Sequence, residues 1–204
     1  MTIVLVEPGQ VYNVAESVLN CVCSKFFNVF AIRYPPKINE LSKAWLSAIV
    51  VTSAELASVL ADLSPGDLNT VFFTSDGSTA NETALRFVMF YNNILGKPNK
   101  KHIITRDKAY HGSTYLTGSI TGKDREKNNF DFEKNFIHHL SSPLPYRRKK
   151  EQTIDEFCKK LVKEFEDKIN ELGSENVAAF IAEPILASGG CIVPPEGYFK
   201  KIYD

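Results

Sequence analysis

An α/β fold, a mainly parallel sheet flanked by helices, is what this sequence predicts. Three observations carry the prediction. Short apolar runs of strand length, such as Val71-Phe72-Phe73-Thr74 and Val177 to Ala182, read as strands buried on both faces. Longer segments with helical periodicity alternate with those runs. Gly and Pro punctuation, as in Pro65-Gly66-Asp67 and Gly96-Lys97-Pro98, separates the two kinds of segment. Strand alternating with helix is the pattern of a sheet with crossover helices.

Taken in order, residues 1 to about 44 form an unplaced N-terminal segment. Ile3 to Val6 has strand character and stops at Pro8-Gly9, Ala15 to Phe30 has helical character, and Pro35-Pro36 ends anything helical. Residues 45–204 are expected to form one partial domain. Its first helix is predicted over Ser53 to Leu63, with Ser53 as N-cap and Leu56, Val59, Leu60 and Leu63 along one side. After the Val71–Thr74 strand, a turn at Ser75-Asp76-Gly77 leads into a helix from about Ser78. Its inner face carries Ala80, Ala84, Val88, Tyr91 and Leu95, and Gly96 stops it. His102 to Arg106 is the next strand, and a stretch of small residues runs from Tyr110 through Gly118 and Gly122. Residues 123–150 are polar and interrupted by prolines, and read as a long surface excursion without regular structure. Thr153 and Glu156 form a capping box for a helix ending at Leu172, before Gly173. The Val177–Ala182 strand delivers Glu183-Pro184, and Pro194-Pro195-Glu196-Gly197 leads into a final helix.

Composition removes several function classes. The 204 residues contain 24 Lys+Arg and 24 Asp+Glu, so no basic field favours nucleic acid; the run Arg147 to Lys150 reads as a solvated loop. The four cysteines, Cys21, Cys23, Cys158 and Cys191, have no His at metal-ligand spacing, and reduced thiols are expected. Adjacent His138 and His139 point to opposite faces of an extended segment, so no metal site is expected there. The N-terminus lacks the basic start of a signal peptide, and charges interrupt the apolar stretch from Val14 to Tyr34. A cytoplasmic protein without a membrane partner is expected.

Three short elements could do chemistry. Gly77 turns the chain into a helix whose first amides, on Gly77 and Ser78, lack intrahelical acceptors and face the positive end of the dipole. This suits a phosphate, though a Gly-Ser turn into a helix also serves simple capping. Tyr110-His111-Gly112 after a strand can place a ring over a ligand, or simply pack. His111 with Ser113 lacks the acidic partner and nucleophile elbow of a hydrolase. Glu183 ends a buried strand, where α/β proteins bind ligands in the crevice; the alternative is a carboxylate that caps a loop.

Together, and in this order, the motifs resemble those of the class III aminotransferases, pyridoxal-phosphate enzymes of fold type I. The resemblance runs from about Ala54 to Asp204. It covers Ser64 to Asn69, Val71 to Thr74, Gly77 to Glu82, Tyr110 to Gly112, Ala182 to Ile185, Gly189-Gly190 and Pro194 to Tyr198. Gly96 to Lys101 is similar to the branch that uses ω-amino acids or diamines with pyruvate. The resemblance implies pyridoxal 5'-phosphate as cofactor, its phosphate on the Gly77 and Ser78 amides. It implies Tyr110 stacked on the pyridine ring, His111 and Gly112 shaping that wall, and Glu183 near the reactive face. It further implies amine and 2-oxo acid substrates and a homodimer. The family's ring-nitrogen aspartate and Schiff-base lysine follow the helix after Pro195 and match no residue here; Lys200 and Lys201 lie within that helix. No catalytic residue is therefore assigned. Non-covalent cofactor binding at most, and a marginal, self-associating, inactive chain, are the expectations. The alternative reading is a non-catalytic phosphate-binding or assembly partner on the same scaffold.

Overall fold

The computed structural model describes residues 2–7, 10–13, 40–64 and 70–203. The expectations for Ala15 to Phe30, Cys21, Cys23, Pro35-Pro36 and the turn at 65–69 lie outside these residues.

The sheet has five strands in the order β2-β1-β5-β3-β4. They are β1 (Thr2–Glu7), β2 (Gln10–Asn13), β3 (His102–Arg106), β4 (Ile137–Leu140) and β5 (Val177–Ala182). β3 pairs in parallel with β4 and with β5. β1 lies antiparallel to β5, and β2 antiparallel to β1. The helices are α1 (Glu40–Leu63), α2 (Gly77–Ile94), α3 (Tyr115–Ile120), α4 (Ile154–Leu172) and α5 (Tyr198–Tyr203).

All six residues of β5 are buried, because helices cover the sheet on both sides. Val177, Phe180 and Ala182 pack with Phe157, Leu161 and Phe165 of α4 and with Tyr198 and Ile202 of α5. Ala178, Ala179 and Ile181 pack with Leu85 and Val88 of α2 and with Leu116 and Ile120 of α3. The small side chains of β5 let α2 and α3 approach, while Phe180 fills the opposite layer against the Phe165 ring at 5.0 Å. Burying side chains of this size contributes about 1.5–3 kcal/mol each.

α4 forms as expected. The Thr153 hydroxyl accepts from the Glu156 N–H at 3.2 Å, and the Thr153 N–H donates to the Glu156 carboxylate at 2.8 Å. Gly173 ends it at φ 80°, and Lys159–Asp155 and Lys163–Asp167 ion pairs line its solvent side. β3 and β5 match their expected bounds, and the Gly96 stop after α2 holds with φ 71°.

Four expectations need correction. α1 begins at Glu40, so Ser53 lies inside the helix and caps nothing; no Gly or Pro interrupts residues 40–63 to start a helix at 53. Leu56, Val59 and Leu63 on it are exposed. Residues 71–74 are not a strand, because no described strand runs beside them; Phe72 is exposed, and its ring and that of Phe87 meet nearly at right angles, centroids 5.9 Å apart. The buried side of α2 is Leu85, Val88 and Asn92, while Tyr91 and Leu95 face outward. Asn92 tolerates burial because its amide donates to the Val88 carbonyl at 3.0 Å. The excursion at 123–150 contains β4, whose end residues Ile137 and Leu140 are buried beside β3. The small-residue stretch contains α3, which Thr114 and Thr117 cap reciprocally.

Candidate cofactor site

The parallel strands β3 and β5 release their C-terminal ends on the same edge of the sheet, and the N-terminus of α2 arrives there too. Three segments meet: 75–82, 110–114 and 183–187.

Asp76 is the N-cap of α2. Its carboxylate accepts from the Thr79 N–H at 2.9 Å, the Thr79 hydroxyl at 2.8 Å and the Ser75 hydroxyl at 3.0 Å. The bond to the Thr79 amide is the leading cause that holds its pKa below the usual carboxylate range. The amides of Gly77 and Ser78 lie in the first turn, where the helix offers no carbonyl to accept from them. Space beside Gly77 is open: a Cβ built there would meet nothing within 4 Å.

α2 is clamped to the 110–114 loop by side chains of its first two turns. The Ser78 hydroxyl accepts from the Ser113 N–H at 3.3 Å, and the Asn81 amide donates to the His111 carbonyl at 2.6 Å. Glu82 accepts from the Thr114 hydroxyl at 2.5 Å. Gly112 makes this approach possible. Its φ is 130°, and a Cβ there would lie 2.6 Å from the Ser78 hydroxyl and 2.7 Å from that of Thr117.

Tyr110 is 42% exposed, so its ring is available to a ligand, and the Lys123 ammonium lies 4.8 Å from its centroid. His111 is different: its ring is buried and turned into the sheet. The Thr105 hydroxyl donates to the Ile120 carbonyl, so at 3.2 Å it accepts from His111 Nε2–H. Burial, helped by the nearby Arg106 charge, pushes the His111 pKa down to about 3, so the imidazole is neutral. Its backbone N–H donates to the Thr121 hydroxyl at 3.0 Å.

Glu183 ties the third segment to the second. One carboxylate oxygen accepts from the Tyr110 N–H at 2.9 Å and the other from the Ala187 N–H at 3.2 Å. Beneath it, the fully buried Arg106 donates to the Glu183 carbonyl, with its guanidinium 5.2 Å from the Phe199 ring and 5.7 Å from Tyr198. Burial lowers the Arg106 pKa, and Tyr198 and Glu183 oppose that shift.

The donor set suits a phosphate ester: first-turn amides, an open glycine and an aromatic ring on the adjoining loop. The Asp76 carboxylate, at the N-cap beside those amides, opposes it. Asp76, Asn81, Glu82 and Arg106 are working parts that the sequence motifs do not single out. Asp76 one residue before the helix start was a readable N-cap signal, whereas the clamps formed by Asn81 and Glu82 depend on a loop some thirty residues away.

The family model for aminotransferase class-III matches residues 38–204. The chain belongs to this family. It is similar to gamma aminobutyrate transaminase 1, mitochondrial, of Solanum lycopersicum, with 45% identity over 152 residues, 74% of this chain and 30% of that protein. Similarity to the putrescine–pyruvate aminotransferase of Pseudomonas aeruginosa is also 45%, over 150 residues, covering 74% of this chain and 33% of that enzyme. Among solved structures, the omega transaminase of Pseudomonas jessenii in complex with PMP superposes with a TM-score of 0.71 at 41% identity, over 74% of this chain and 33% of that one. The chain thus spans about a third of the length of the relatives it matches. The family and its PMP-bound neighbours establish the fold type and pyridoxal phosphate as the cofactor. No helix among the described residues is long and apolar enough to cross a membrane, and no cluster of three metal-ligating side chains occurs among them.

Proposed function

We propose that residues 45–204 form the cofactor-binding part of a transaminase that moves an amino group from an ω-amino acid or amine to a 2-oxo acid such as pyruvate. The observation that carries the reading is the meeting of three segments: Ser78 bonded to Ser113, and Glu183 bonded to the Tyr110 amide. The named activities of the relatives support the substrate class.

When bound, the cofactor supplies an electron sink. The chain's own residues hold it. Gly77 and Ser78 amides bind the phosphate, and the Tyr110 ring orients the pyridine by stacking. Glu183 fixes the Tyr110 segment through the backbone, so the ring's placement depends on β5 as well as on β3. Neutral His111 contributes shape through its main chain, because its ring is committed to Thr105. The outward side of α2, with Phe87, Phe90 and Ile94 exposed, supports a homodimer as the working assembly.

Titration with pyridoxal 5'-phosphate, followed by absorbance, tests the site. Saturable binding should weaken in Ser78→Pro, which removes an amide donor, and in Tyr110→Ala, which removes the stacking ring. Binding that neither substitution changes would overturn the assignment.

A further inference from the structure

We infer that Asp76 sets the affinity of the α2 cradle for phosphate esters, its carboxylate competing with the ligand for the first-turn amides. The inference rests on the cofactor-site reading above and concerns how tightly that site holds an anion.

The geometry is specific. Asp76 is exposed and stands at the N-cap, one residue before Gly77. It takes the Thr79 amide and both neighbouring hydroxyls, those of Thr79 and Ser75. The hydroxyls that would otherwise be donors to a phosphate therefore point at a carboxylate. The Ser78 amide, one of the two proposed to hold the phosphate, also contributes to keeping the Asp76 carboxyl ionised. Among the described residues, no cation pairs with Asp76. A phosphate on Gly77 and Ser78 thus meets a like charge that pairs with no cation among the described residues.

The size of the effect follows from electrostatics. A dianion within about 5 Å of a carboxylate, in a dielectric near that of water, loses roughly tenfold in affinity. A phosphomonoester gains its second charge near pH 6, so the loss is roughly half as large in logarithmic terms at pH 5. Asparagine keeps the acceptor for the Thr79 amide and removes the charge, and it caps as well as aspartate does.

The test compares wild type, Asp76→Asn and Ser78→Pro, with Asp76→Ser as a second neutral cap. Dissociation constants are measured by titration calorimetry for pyridoxal 5'-phosphate and for pyridoxal, at pH 5 and pH 8. The expected result is tighter binding of the phosphate ester by about tenfold in Asp76→Asn at pH 8, a smaller gain at pH 5, and no change for pyridoxal. Asp76→Ser should follow Asp76→Asn. Equal affinity in wild type and both neutral variants would overturn the inference, as would equal tightening of pyridoxal. If Ser78→Pro abolishes binding while the Asp76 variants match wild type, the site stands and only the role of Asp76 falls. If no variant binds the ester saturably, both fall.

Discussion

Replacing Gly112 with alanine tests the contact that joins α2 to the Tyr110 loop. Gly112 sits at φ 130°, where an L side chain is strained whatever the space around it. Holding a residue in such a region costs about 1–3 kcal/mol. The new methyl also has no room: it would lie 2.6 Å from the Ser78 hydroxyl, 2.7 Å from the Thr117 hydroxyl and 2.8 Å from the Ser78 Cβ. The hydroxyls can rotate away, but the Ser78 Cβ moves only with the helix, and overpacking of that kind costs about 1–3 kcal/mol. The two terms together give about 2–6 kcal/mol, a large part of the roughly 5–15 kcal/mol available to a domain. Gly77→Ala is the matched control. A Cβ there meets nothing within 4 Å, and the position is the first of a helix, so its stability should stay within about 0.5 kcal/mol of wild type. Urea unfolding followed by far-ultraviolet circular dichroism measures both. If Gly112→Ala unfolds at the wild-type midpoint, the close approach of Ser78 and Gly112 is not a constraint on the fold.

Further outcomes follow from other contacts. The His111 and His139 imidazoles are held neutral by burial, with pKa values pushed down to about 3 and about 4. Each takes up a proton on unfolding below about pH 6.5, so their contribution to stability is full above that pH and declines as pH falls toward 4 and then 3. His111→Gln should therefore lose less stability than wild type between pH 6.5 and 4.5, by about 2 kcal/mol; parallel urea midpoints for the two proteins across that range would contradict this. Thr153→Ala removes the capping box of α4 and should cost about 1 kcal/mol, read as a lower urea midpoint with an unchanged slope. Glu183→Ala leaves the Tyr110 and Ala187 amides without their acceptor, at about 1 kcal/mol. The same variant should weaken pyridoxal 5'-phosphate binding several-fold; unchanged affinity would mean that Tyr110 holds its place without Glu183.

What the sequence determined by itself was local. The capping box at Thr153, the stop at Gly96 and the apolar run of β5 each specify structure within a few residues, and each appears where expected. The three site motifs were legible for the same reason: a glycine before a helix, an aromatic pair after a strand and a carboxylate at a strand end are short patterns with their own physical meaning. The tertiary structure decided everything that depends on a partner distant in the chain. Ile137–Leu140 becomes a strand because β3 lies beside it, and Val71–Thr74 fails to become one for lack of such a neighbour among the described residues. The inward side of α2 turns on which residues the sheet leaves room for, so Leu85 and Asn92 are buried and Tyr91 is not. His111 and Glu183 were readable as candidates, yet burial and pairing decide how each side chain is held. One is a neutral ring bonded to Thr105, the other a carboxylate fastening the Tyr110 loop. Backbone preferences act over a turn or two of chain, whereas desolvation and hydrogen bonding act between whichever groups the fold brings into contact.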